Sequence, residues 1–203
     1  MVPANVKLSK NELSLVCDEA FILTKNTIID KVYKLFGQLS NEFTKDLQQT
    51  HGLLEPEIFL QAPKIYKGEQ YKSLPYVMLD HPRCFNGNNA FAIRCFFWWG
   101  NFFSITLHLG GRYANLYRPS VIRSLNENKV EGWYYCINEN QWQHDFGETN
   151  YAMITKESAE MIGVIAKKDF LKISKKIPLI QWDDAYDFYL NNFSEILAML
   201  KTQ

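Results

Sequence analysis

The chain has 203 residues, 47% hydrophobic and 22% charged, with 22 Lys and Arg balanced by 22 Asp and Glu. This length and balance suit one globular domain that buries roughly 70% of its unfolded surface without a metal or disulfide staple. Zero formal net charge leaves no whole-chain basic footprint for nucleic acid or for an anionic membrane surface, so neither partner is expected.

Ser9-Lys10-Asn11-Glu12 has the spacing of a capping box and predicts a short helix through Leu13, Leu15 and Val16. A longer amphipathic helix is predicted from Thr27 to Gln49, where Ile28, Ile29, Val32, Phe36, Leu39, Phe43 and Leu47 form one stripe. Pro56, Pro63, Gly68 and Pro75 break up the next stretch, which reads as a loop with a short strand at Lys64 to Tyr66. Tyr76 to Asp80 reads as a strand that His81-Pro82 ends.

Phe91 to Leu109 then reads as a hairpin. Phe103, Ile105, Leu107 and Leu109 alternate with Phe102, Ser104, Thr106 and His108, and the preceding strand alternates in the same way. Ala90 to Leu109 has the length of a membrane span, but its alternation and the Gly100-Asn101 turn exclude one. Matching apolar face to apolar face requires an odd loop, and Trp99-Gly100-Asn101 supplies it. A one-residue slip would exchange the faces.

Gly110-Gly111 reads as a strand end with no helix directly behind it, so it is not a phosphate loop. A short helix is predicted near Pro119 to Leu125, a strand at Gly132 to Ile137, and a returning strand at Gln141 to Asp145 after an Asn138-Glu139-Asn140 turn. Thr155 to Ser158 predicts a helix start leading to Ile165. Asp169 to Pro178 reads as an edge strand guarded by lysines. A last helix follows Asp183 and Asp184, with Tyr189, Phe193, Ile196, Leu197 and Leu200 on its apolar stripe. The expected fold class is therefore α+β over residues 1–203: a single domain with a central, mostly antiparallel sheet and a long N-terminal and a C-terminal helix packed on it.

Gly-x-Ser-x-Gly, Walker-type and His-Glu-x-x-His motifs are absent. Cys17, Cys84, Cys95 and Cys136 form no Cys-x-x-Cys pair and have no His at zinc spacing, while His51, His81, His108 and His144 are spread widely. No metal and no cofactor are expected. Without a signal-peptide core near the N-terminus, a cytoplasmic protein with reduced, buried thiols is expected.

The candidate site is the mixed face of the hairpin. It gathers Arg94, Thr106 and His108 beside Trp98 and Phe96, with Arg94 opposite Thr106 if the loop has three residues. A guanidinium on an aromatic platform can hold a carboxylate or phosphate, and an imidazole there can act as acid or base. The competing expectation is a buried network in which Asp80 or a glutamate satisfies Arg94.

Gly68-Glu69-Gln70-Tyr71-Lys72-Ser73-Leu74-Pro75-Tyr76, together with Phe91-Ala92-Ile93-Arg94, Trp98-Trp99-Gly100-Asn101-Phe102-Phe103 and Leu107-His108-Leu109, resembles a bacterial family of unknown function seen mainly in Bacteroidetes. The resemblance is strongest from Pro63 to Gly111. The Tyr71 to Pro75 element is also distantly similar to YktB-like proteins. The resemblance implies a small soluble bacterial protein and carries no activity or catalytic residue. The expected function is binding of a small ligand, anionic or not, on the hairpin face. The alternatives are an enzyme with His108 as acid or base and Arg94 as anion anchor, and a homodimeric interaction module.

Overall fold

The computed structural model describes residues 6–49, 52–127, 131–155, 164–165 and 167–201. Helix α1 spans Lys10–Val16 and is closed by the Ser9/Glu12 capping box. Helix α2 spans Glu19–Gln49, eight residues longer at its start than the stripe suggested, because Asp18 caps the Phe21 N–H. A 3-10 turn at Pro56–Phe59 leads to strands β1 (Lys64–Tyr71), β2 (Leu74–Asn86), β3 (Asn89–Trp98) and β4 (Phe102–Gly110). Helix α3 (Arg112–Glu127), β5 (Trp133–Cys136), β6 (Tyr151–Met153), β7 (Phe170–Pro178) and helix α4 (Ala185–Met199) complete the order, with a 3-10 turn at Leu179–Asp184.

The strands form one antiparallel sheet in the order β1-β2-β3-β4-β7-β5-β6. This is the α+β architecture read from the sequence, with α2 and α4 packed on the sheet. The three-residue loop is present: Trp98 pairs with Phe102 and Arg94 with Thr106, and Gly100 takes the left-handed φ of +71° that such a loop needs.

The register sorts the two faces. Val77, Leu79, Ile93, Cys95, Phe97, Phe103, Ile105 and Leu107 point toward α2, α3 and α4, where Phe36, Phe43, Tyr189 and Phe193 complete the main core. Phe43 and Phe193 stack at 3.7 Å between ring centroids. The other face carries Asp80, Arg94, Phe96, Thr106, His108 and Lys172. The irregular segment 137–150 lies over it like a strap, with Gln141, Gln143 and His144 bonded to that face.

Several elements differ from the sequence reading. β2 does not stop at His81-Pro82; the ladder shifts register between Asp80 and Arg83, and proline, which has no N–H, sits in that bulge. β1 runs to Tyr71 instead of ending at Tyr66. α3 starts directly after Gly111 and runs through Pro119, whose freed carbonyl partner at Asn115 lies on an exposed turn. β7 is an interior strand between β4 and β5, so its lysines guard no edge. Instead the Lys175 and Lys176 ammonium groups sit over the rings of Trp133 and Phe102. Gln141 to Asp145 forms no strand, since β5 pairs with β6 across the strap. Most of the predicted 155–165 helix, and His51, lie outside the described residues. Of the four cysteines, all free, Cys17 is exposed and the other three are buried. Among the described residues no helix is long and apolar enough to cross a membrane.

Gly111 makes the turn from β4 into α3 at φ +55°, and a Cβ there would meet the Asn89 side chain and, at 2.9 Å, the Asn88 carbonyl oxygen. Gly111→Ala should cost about 1–3 kcal/mol in denaturant unfolding. A change below about 0.5 kcal/mol, the usual scale of a neutral surface substitution, would contradict this turn geometry.

Candidate functional site

Arg94 sits at the centre of the strap face and is 4% exposed. Its Nε donates to Asp80 Oδ1 at 2.6 Å and its Nη2 to Oδ2 at 2.9 Å, a bidentate pair between neighbours in the β2–β3 ladder. Tyr66 donates its hydroxyl proton to the same carboxylate at 3.3 Å. The remaining guanidinium nitrogen, Nη1, lies 3.4 Å from His144 Nε2 on the strap. That long contact is the weakest hydrogen bond of Arg94 and the one an incoming acceptor displaces most readily.

The other predicted residues divide between this centre and its surroundings. Thr106 is buried and lies 2.7 Å from Ser174 Oγ. Ser174 gives its own proton to the Ile105 carbonyl, so Thr106 is the donor of the pair. Trp98 donates its indole N–H to the Tyr71 carbonyl, and Phe96 packs beneath Tyr71 and His144.

His108 is 0% exposed and donates from Nε2 to Gln141 Oε1 at 2.7 Å, which leaves Nδ1 as a buried acceptor without a partner. Burial, then the Arg94 and Lys172 charges, push its pKa down to about 3. His144 is held well below the usual imidazole range, again by burial first and Arg94 second. Lys172 donates to the Gln141 and Gln143 carbonyls of the strap, and burial pushes its pKa down to about 7.

A pocket of about 200 Å³ opens beside Arg94. Tyr66, Tyr71, Tyr76, Met78, Phe96, Trp142 and His144 complete its wall. At ~30 Å³ per molecule this is room for roughly seven waters. Of the five residues singled out from the sequence, Arg94 and Phe96 line the pocket; Thr106, His108 and Trp98 support it from the same face. As an acid or base His108 would need the strap to move, because Trp142 and Gln141 cover it. Among the described residues no group of three or more His, Cys, Asp or Glu is placed to hold a metal ion.

Sequence reading missed His144, Lys172, Tyr66 and Tyr71. Lys172 was within reach: Phe170, Lys172, Ser174 and Lys176 alternate, and knowing that β7 pairs with β4 places them beside His108 and Thr106. His144 carries no such signal, because it comes from irregular chain.

His81 and His108 are buried and neutral, and the half-buried His144 is held neutral beside Arg94, so acid should unfold the protein. The unfolded chain takes up protons near pH 6.5, whereas folded His81 and His108 resist until about pH 4 and about pH 3. Stability present above pH 6.5 is therefore lost as the pH falls below it, by about 2 kcal/mol per histidine between pH 7 and pH 5. Urea midpoints that match at those two pH values would contradict the burial. Separately, Asp80→Asn should cost about 3–5 kcal/mol by stranding Arg94, while the Asp80→Leu, Arg94→Met double variant should recover most of it. Equal destabilisation of the single and double variants would show that the pair does not act as a unit.

No protein-family model, no curated protein and no solved structure matches the chain, so the functional reading rests on the chemistry of this face.

Proposed function

We propose that the chain binds a small ligand in the aromatic pocket between the β3–β4 hairpin face and the strap. The observation that carries this reading is the convergence of the Nη1 edge of Arg94, held only by a long contact to the neutral His144, and five aromatic rings on one pocket. A buried ion pair of this kind is roughly neutral for stability compared with apolar packing, so folding energy alone gives little reason for it. Asp80 already balances the guanidinium charge and occupies Nε and one N–H of Nη2, so Nη1 is the nitrogen without a carboxylate partner. The fitting ligand is a flat or apolar body with a single carbonyl or carboxylate, rather than a phosphate whose double charge Arg94, already paired, does not balance.

A thermal-shift screen of small amides, ketones and aromatic acids tests the proposal. A ligand at a hundredfold its Kd adds about 2.7 kcal/mol of stability. Trp142 lines the pocket from the strap and is 50% exposed, so Trp142→Ala should fold normally while losing most of the shift. No hit in these classes, or hits indifferent to Trp142→Ala, would defeat the proposal.

A second reading, a homodimer, is favoured by the N-terminal helices. α1 has no buried residue, and Leu13, Leu15, Val16, Phe21, Ile22 and Leu23 are 44% to 69% exposed. Lys7 and Lys10 precede these residues, and Asp18 and Glu19 lie among them. An antiparallel pair of such segments sets lysines against carboxylates, the arrangement a two-fold interface requires. Sedimentation velocity should then detect a dimer that Leu13→Ser with Phe21→Ser dissociates. A monomer at high micromolar concentration would end this reading.

A further inference from the structure

On the opposite side of the sheet lies a larger cavity of about 690 Å³, bounded by the C-terminal end of α2, the 56–59 turn, the His81-Pro82 bulge and α3. Its size is within the ~300–1,000 Å³ typical of small-molecule sites. Leu47, Leu54, Ile58, Phe59, Pro82 and Leu116 make its wall mostly apolar. Among the described lining residues there is no Lys or Arg, and Glu55 is the one carboxylate.

The hydrogen bonds around His81 fix what polarity the wall offers. Thr44 Oγ1 donates its single proton to the Ser40 carbonyl at 2.8 Å. Its 3.0 Å contact with His81 Nε2 must therefore be a bond that the imidazole donates. His81 Nδ1 is left as a buried lone-pair acceptor without a partner, on a residue that lines the cavity. The ring is 7% exposed, and burial holds it neutral with a pKa of about 4. Tyr117, also in the wall, accepts the Glu55 N–H at 3.1 Å and keeps its own hydroxyl proton to give.

We infer that this cavity binds a neutral, mainly aliphatic molecule that ends in a hydroxyl or a primary amide. An alcohol meets both offers, donating to His81 or accepting from Tyr117. A buried acceptor without a donor is costly, and a donor from the ligand removes that cost after a small shift of the ring. A fatty carboxylate has no proton to give, meets no Lys or Arg among the described lining residues and is repelled by Glu55. The site is separate from the aromatic pocket, and the sheet lies between them.

The test uses 1-octanol and octanoate at neutral pH with the full chain, read by calorimetric titration and thermal shift. Octanol should bind at least tenfold more tightly than octanoate. Leu116 is 43% exposed on the rim, so Leu116→Trp should narrow the mouth of the cavity and weaken octanol binding severalfold while the protein stays folded. His81→Phe keeps the ring shape and should weaken octanol about tenfold without improving octanoate. Trp142→Ala, on the other face, should leave octanol binding unchanged. Octanoate binding as tightly as octanol would overturn the assigned polarity. Octanol failing to bind, or binding equally well to Leu116→Trp, would overturn the site.

Discussion

The middle strands of this sheet are covered on both faces, and that burial governs nearly everything else in the structure. Every residue of β4, and every residue of β3 after Asn89, is buried. A polar side chain on these strands cannot reach water and must find its partner inside the protein. The three-residue hairpin loop then decides which side each residue faces. It sends Arg94, Thr106 and His108 to the strap side, and each partner there answers one of them: Asp80 to Arg94, Ser174 to Thr106, Gln141 to His108.

The sheet thus separates two unlike interiors. Toward the helices, burial is apolar and aromatic, with the Phe43–Phe193 stack and the Tyr189 hydroxyl bonded to the Phe96 carbonyl. Toward the strap it is a network of charges and neutral imidazoles with a small pocket left inside. A low local dielectric strengthens each bond in such a network and raises the cost of each unmade one. The orphaned Nδ1 atoms of His108 and His81, one on each side of the sheet, are therefore informative exceptions.

The sequence made most of the main core legible because it is periodic. The α2 stripe, the β3–β4 alternation and the odd loop follow from local spacing, and they place Arg94 opposite Thr106 correctly. Asp80 was also within reach as the partner of Arg94, since it lies in the strand before the hairpin. The rest depends on pairings distant in sequence. β7 looks like an edge when its lysines are read alone, and becomes interior only because β4 and β5 flank it. The strap has no period at all. His144 and Gln141 each reach the sheet through two hydrogen bonds from irregular chain, which no local pattern announces. The His81 cavity was hidden for a related reason: His81-Pro82 reads as a terminator, whereas the bulge lets the strand continue and turns the imidazole against α2.

The strap has an anchor with a kinetic consequence. The Tyr71 hydroxyl accepts the backbone N–H groups of both His144 (2.7 Å) and Asp145 (3.0 Å) and gives its own proton to the Asp145 carboxylate. Lys72 bonds that carboxylate as well. One phenol at the end of β1 thus pins irregular chain that would otherwise be among the first parts of the molecule to open. Any enlargement of the pocket beside Arg94 that lifts the strap must break this cluster. A molecule large enough to need that lift would exchange at the pace of local opening of the strap and not of diffusion, and its long residence would not require high intrinsic affinity.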